Sequence, residues 1–310
     1  MSNDINKPHF VSIVLPTLNM SDDIIRCLDS IKKLDYPKKY VEIIVWDNGS
    51  TDGSQAAVSQ AFREMGQGED WKGLNLIQSE ENLGVYTSRD ELFKSISPET
   101  EYVLSLDDDV FLPCDSLNTL LGVIRSDSDI GIVGPRTVYD MMPDITAHGA
   151  GFVNLWMGRY CDIDAGSLME CDYVIGCCML IKKEVVSDLN GFDRDYYTSH
   201  GEVDFCLKAK KKGYKIFYDP SVIVRHNVAM GGTKTLERIY YLYRNKLLVI
   251  RKNASLLQKM ISFPLYTIFW VPKMILDSIQ FHRGVKLDEW LVMLKAVKHA
   301  IINRVGKVDL

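Results

Sequence analysis

Tyr102-Val103-Leu104-Ser105-Leu106-Asp107-Asp108-Asp109 is the stretch on which the fold turns. The run from Tyr102 to Leu106 is too short for a helix of its own and reads as a buried strand. Three carboxylates at its end repel one another and resist desolvation, so they need a cation or a solvated cleft. In open α/β sheets, ligands bind in the crevice beyond the carboxyl ends of the strands. Hard oxygen ligands there suit Mg²⁺ or Mn²⁺, and such an ion usually also holds substrate phosphates. Taken alone, the tripeptide fits a solvated acidic turn equally well.

Upstream of this run, strand-like and helix-like segments alternate. Val11-Ser12-Ile13-Val14-Leu15 reads as a strand that stops at Pro16, and residues 24–34 carry apolar side chains at helical spacing behind Ser21 or Asp22 as N-cap. Val41 to Trp46 reads as a second strand, ended by the turn signal Asp47-Asn48-Gly49-Ser50-Thr51-Asp52-Gly53. A helix near 54–65, a strand at 74–77 and a helix near 85–95 lead back to the aspartates. This order indicates an α/β fold with a mostly parallel sheet and helices on both faces. Downstream, residues 136–170 look irregular and substrate-facing, and 173–181 is a strong apolar run. Short strands are expected at 216–218 and 222–224, and helices at 203–212 and 237–252.

Charge is distributed unevenly. Residues 1–204 hold 16 Lys and Arg against 35 Asp and Glu, whereas residues 205–310 hold 20 against 6. The basic C-terminal part suits phosphates or anionic lipid; nucleic acid is disfavoured by the acidic remainder and the lack of an RNA-binding motif. The 7 cysteines include no CxxC pair or zinc-type cluster, which points to a reducing compartment. The N-terminus shows no basic-then-apolar signal.

The most apolar segment, Met260 to Val271, is short of the ~20 residues a spanning helix needs. It contains Pro264 and is followed by Pro272, with Lys259, Lys273, Arg283 and Lys286 on its flanks. Such a segment suits a helix lying in a membrane interface, or one packed on the main domain or a second subunit.

Several motifs in order bring a family into view. Leu15-Pro16-Thr17-Leu18-Asn19 and Trp46-Asp47-Asn48-Gly49-Ser50-Thr51-Asp52-Gly53 are followed by Asn82-Leu83-Gly84 with Arg89, and then by the aspartates. Next come Gly176-Cys177-Cys178-Met179-Leu180, Gly191-Phe192-Asp193, Glu202-Val203-Asp204, Gly213-Tyr214 and Arg225-His226. Over residues 10–252 the chain resembles family-2 inverting glycosyltransferases of the GT-A fold. His148-Gly149-Ala150-Gly151 and Arg244-Asn245 are similar to rhamnosyltransferase-like members that add single sugars to polysaccharide or lipid-linked chains.

The resemblance implies a transferase domain over 1–252 and an amphipathic helical extension over 253–310. Pro16, Thr17, Asn19 and Asp47 would form the nucleobase pocket, with Asp47 accepting an N–H of uracil or thymine. Arg89 would lie near the diphosphate. Asp109, with His226, would hold Mn²⁺ or Mg²⁺, and Asp107 the ribose or the metal; strand alternation would turn Asp108 away. Glu202 occupies the base position, and Gly201 replaces the acidic residue that relatives carry there. Asp204 would cap the helix or touch the acceptor. Gly231-Gly232-Thr233-Lys234 reads as a flexible loop closing over the donor.

The implied activity is a single inverting displacement from a UDP- or dTDP-sugar to a glycan or lipid-linked acceptor, at the cytoplasmic face of a membrane. Two other readings are weighed against it. A nucleotidyltransferase would need a Gly-rich basic loop after the first strand, and residues 15–20 hold no Gly, Lys or Arg. A non-catalytic carbohydrate- or lipid-binding homologue would account for Gly201.

Overall fold

The computed structural model describes residues 8–230, 235–270, 272–273, 276 and 287–309. Four strands, β1 (Val11–Thr17), β2 (Val41–Asp47), β3 (Gly73–Gln78) and β4 (Tyr102–Leu106), form a parallel half-sheet in the order β3-β2-β1-β4. They are joined by α1 (Ser21–Lys32), α2 (Ser54–Gly66) and α3 (Val85–Ser95). Successive side chains alternate between two cores, as the pleat demands. Val11, Ile13 and Leu15 face Ile24 and Leu28 of α1 and Val58 of α2, while Val14 joins Leu92 and Phe93 of α3 on the opposite face. The N-terminus of α1 differs from expectation: Met20 is the N-cap, and no side chain caps it.

Beyond β4 the sheet becomes mixed. β5 (Val110–Phe111) and α4 (Ser116–Ser126) lead into β6 (Ile130–Tyr139). The segment expected to be irregular is largely strand: β7 (Met142–His148), β8 (Ala150–Asn154), β9 (Arg159–Ile163) and β10 (Met169–Cys171). β8 and β9 form a separate antiparallel hairpin. β9 is mostly exposed and β8 only partly buried, so the apolar alternation that marks a strand is weak. β11 (Cys178–Lys182) runs antiparallel to both β4 and β6. α5 (Lys183–Leu189) and α6 (Gly201–Lys211) cover the same face as α3.

The two short strands expected near 216 and 222 are one long strand, β12 (Lys215–His226), with a register shift between Asp219 and Ile223. It runs parallel to β6, and its end pairs with β5, His226 opposite Val110. Residues 116 positions apart are thereby brought to the aspartate turn.

α7 (Leu236–Asn253), α8 (Leu256–Leu265) and α9 (Leu287–Ile301) build a third core around Tyr240, Tyr241, Leu247 and Ala296. Tyr240 and His299 Nδ1 lie 2.6 Å apart across the α7–α9 contact. After Pro264 the chain passes through a π-helical turn, Tyr266–Trp270. Among the described residues, no helix is long and apolar enough to cross a membrane.

Candidate active site

β4 ends at Leu106, so Asp107, Asp108 and Asp109 lie in a turn rather than in strand alternation. Backbone bonds fix that turn: Asp107 N–H donates to Cys177 O at 2.9 Å, and Asn227 N–H to Asp109 O at 2.9 Å. Asp107, Asp109 and His226 converge, with ligand atoms all within 4.8 Å of one another. Two carboxylates and an imidazole suit a divalent cation. Asp109 Oδ1 lies 3.0 Å from His226 Nε2, and both residues are largely buried. Burial opposes charge on the ring, but the Cys177 sulfur and Asp109 outweigh it and lift His226 to about 11.

Asp108, between Asp107 and Asp109 in the chain, is not among the converging ligand residues. Its carboxyl is enclosed beside Thr17, and burial raises its pKa to about 8, opposed in part by the Thr17 hydroxyl. The negative charges of Asp109 and Asp107 raise it further.

Arg89 is 2% exposed, and Nη2 donates to Asp107 Oδ1 at 2.5 Å and to Gly176 O at 2.7 Å. It therefore orients Asp107, one of the three converging residues. Arg194 takes the neighbouring acidic pair, Asp90 and Glu91.

Pro16 and Thr17 lie at the end of β1, in register with Trp46 and Asp47. Asp47 is fully buried and accepts N–H groups from Gly49 (3.2 Å), Ser50 (3.1 Å) and the Gln55 side chain (2.7 Å). Asn19 adopts φ 54° and accepts Thr51 N–H at 2.7 Å. These residues tie the ends of β1 and β2 into one rim.

Glu202 sits in the first turn of α6, buried, and accepts a hydrogen bond from the Tyr86 hydroxyl. Burial raises its pKa; the Tyr86 bond and the Arg89 charge act against that, and Asp107 adds to it. Arg89 and Glu202 meet at Gly176. A Cβ there would lie 3.0 Å from Arg89 Nη1 and 3.2 Å from Glu202 Cβ. Asp107, Arg89 and Glu202 are thus consecutive neighbours.

Asp204 serves neither of its expected roles. The N-cap of α6 is His200, with no side-chain capping bond. Asp204 is 1% exposed, which removes it from any acceptor. It accepts Asn253 Nδ2–H at 2.6 Å and pairs with Lys208 at 2.6 Å, fastening α6 to α7. Removing one partner leaves buried polar groups unmatched. Asp204→Ala is therefore expected to cost about 3 kcal/mol of stability. The drop would be read by chemical denaturation, and an unchanged midpoint would contradict this role.

Two buried residues of α7 support the loop before Glu202. Asn245 Nδ2 donates to the carbonyls of Thr198 (2.5 Å) and Ser199 (2.8 Å), and Arg244 Nη2 to Asp195 O (3.2 Å). That loop carries Ser199 and His200 at φ 60° and 67°. The adjacent pair Arg244-Asn245 was visible in the sequence, but its partners were not. Gly231-Gly232-Thr233-Lys234, expected to close over a donor, lies outside the described residues.

The parallel half-sheet, with Asp107, Arg89 and Glu202 gathered beyond the end of β4, is set in an α/β architecture of the GT-A type. The profile of Glycosyl transferase family 2 matches residues 12–189, and that of Glycosyl transferase family group 2 matches residues 102–294. The chain belongs to glycosyl transferase family 2 and is a glycosyltransferase.

Glycosyltransferase AglE of Haloferax volcanii is 24% identical over 70% of this chain and 66% of its own length. The N-acetylglucosaminyl-diphospho-decaprenol L-rhamnosyltransferase of Mycobacterium tuberculosis is 24% identical over 61% of this chain and 67% of its own length. The chain thus spans about two thirds of both relatives. In three dimensions it is similar to mannosyltransferase PcManGT from Pyrobaculum calidifontis, solved with GDP-Man and Mn²⁺. That match has a TM-score of 0.59 at 17% identity, covering 96% of this chain and 87% of the other.

Proposed function

We propose that this glycosyltransferase moves a sugar, with inversion, from a UDP- or dTDP-sugar to a hydroxyl of a polysaccharide or lipid-linked glycan. The observation that carries the reading is the row Asp107–Arg89–Glu202, which sets a raised-pKa carboxylate beside the acidic turn. A carboxylate whose proton affinity is raised is a better general base near neutral pH.

Glu202 takes the proton of the acceptor hydroxyl as that oxygen bonds to the anomeric carbon. The bond from that carbon to the diphosphate oxygen breaks, and its electron pair leaves with the nucleoside diphosphate. Attack from the opposite face inverts the configuration. Asp109 and His226, with Asp107, are the residues that would hold Mn²⁺ or Mg²⁺. Such a cation supplies charge stabilisation for the departing diphosphate. Pro16, Thr17, Asn19 and Asp47 form the base pocket in this reading. The Gln55 amide donates to Asp47 much as a uracil N–H would, and it yields that place when the base enters.

The acceptor side favours a lipid-linked substrate. A cleft of about 600 Å³ is lined by Phe152, Leu155, Trp156, Met157 and Tyr160 of the β8–β9 hairpin and by Gln258 of α8. Tyr160 packs edge-on against His200, with ring centroids 5.3 Å apart, two residues before Glu202. Beside the cleft, α8 exposes Leu256, Leu257, Met260 and Ile261, and the turn after it exposes Ile268 and Phe269. An apolar face with Lys259 and Lys273 nearby suits the interface of an anionic membrane. In this reading residues 1–252 carry the transfer chemistry and 253–310 hold the enzyme to the cytoplasmic membrane face or to a second subunit.

A panel of nucleotide sugars with Mn²⁺ tests the proposal, read first by thermal shift and then by release of nucleoside diphosphate. One uridine or thymidine donor should raise the melting temperature by several degrees. Its turnover should rise when a polyprenyl-linked glycan is supplied in anionic vesicles. A guanosine or adenosine donor as the only stabilising ligand would overturn the base assignment. Equal turnover on soluble glycan without vesicles would overturn the lipid-linked one.

A further inference from the structure

We propose that Tyr86 is the positioning residue for Glu202, and that position 201 is glycine because the Tyr86 ring fills the space a side chain would need. The inference rests on the reading of Glu202 as base. Tyr86 lies in the first turn of α3, 3% exposed, and its hydroxyl donates to Glu202 Oε2. A Cβ on Gly201 would lie 2.6–2.7 Å from three carbons of that ring. Gly201 does not need a left-handed backbone, so space alone excludes a larger residue.

The ring cannot easily move aside. It packs against Phe192 at 5.4 Å and edge-on to Tyr196 at 6.3 Å. From the other side, Asn245 holds the backbone that leads into Gly201. The start of α6 is thus pressed onto α3. This close approach lets a phenol reach a glutamate 116 positions away. With Oε2 engaged by Tyr86, Oε1 is the oxygen left for an acceptor proton.

The charged and titratable groups around Glu202 agree with this assignment. Arg89 comes from α3 and Asp107 from the end of β4, and the two are paired with each other. The phenols of Tyr160 and Tyr173 approach from β9 and from the segment before β11. Among the described residues, Tyr86 makes the one side-chain hydrogen bond to Glu202. A donor on the charged form favours ionisation, so Tyr86 restrains both the direction and the proton affinity of the base.

Four variants test the idea in the full chain. Tyr86→Phe keeps the ring and removes the donor. It should lower kcat about tenfold with the donor KM unchanged, and move the acidic limb of the kcat/KM profile to higher pH. Gly201→Ala should lower the melting temperature, and adding Tyr86→Ala should restore it without restoring the rate. A wild-type rate and acidic limb in Tyr86→Phe would overturn the positioning role. A Gly201→Ala protein as stable as wild type, or one not rescued by Tyr86→Ala, would overturn the packing argument. Glu202→Gln separates the two readings: wild-type turnover there rejects the base, whatever the melting data show for the Tyr86–Gly201 pair.

Discussion

Glu202→Gln is expected to abolish sugar transfer and to make the fold more stable at alkaline pH. Glutamine has the same shape and can still accept the Tyr86 hydroxyl, but it cannot take a proton from an acceptor. Loss of a general base lowers kcat by about 10²–10⁴. Donor affinity should be unchanged, because in the proposed reading Glu202 serves the acceptor and not the donor.

The stability effect follows from linkage. Burial raises the pKa of Glu202 in the folded state, so the folded chain holds this proton more tightly than the unfolded chain. Stability contributed by the protonated form is present below the ordinary glutamate value and is lost as pH rises toward the raised folded value. A neutral glutamine does not titrate. Melting curves should therefore coincide in acid and separate above that window, with the variant higher. A variant less stable than wild type at pH 8 would contradict the buried-charge account.

Asp109→Ala is expected to remove both cation dependence and transfer. Asp109 and His226 face each other at 3.0 Å, so the substitution takes away a hard ligand and leaves a buried imidazole without its carboxylate. Turnover should fall at least about 10²-fold, and the thermal shift produced by Mn²⁺ with nucleoside diphosphate should vanish. His226→Ala alone should cause much of the same loss. The double variant should lose little more than either single one, because the residues share a site. An undiminished Mn²⁺ shift in Asp109→Ala would place the cation elsewhere.

Much of this architecture is local and was legible. In the first half, short apolar runs and helical spacing set element order within a residue or two, because β1, β2 and β4 are buried on both faces. The two-faced parallel sheet, the acidic strand end and the late histidine all followed. The 136–170 segment was not legible as strand, because its strands are short and at most partly buried. Asp204 was misread because its partner, Asn253, is on a helix 49 positions away.

By itself, the sequence determined the sheet, the family and the cluster of residue types at the strand ends, since these depend on periodicity and on short motifs. Only the tertiary structure decided what those residues touch. It turned Arg89 inward onto Asp107, set Asn245 on the loop before α6, and brought the Tyr86 ring over Gly201. Such choices depend on which side chains occupy the same few ångströms after distant segments pack, and one-dimensional spacing carries no record of that.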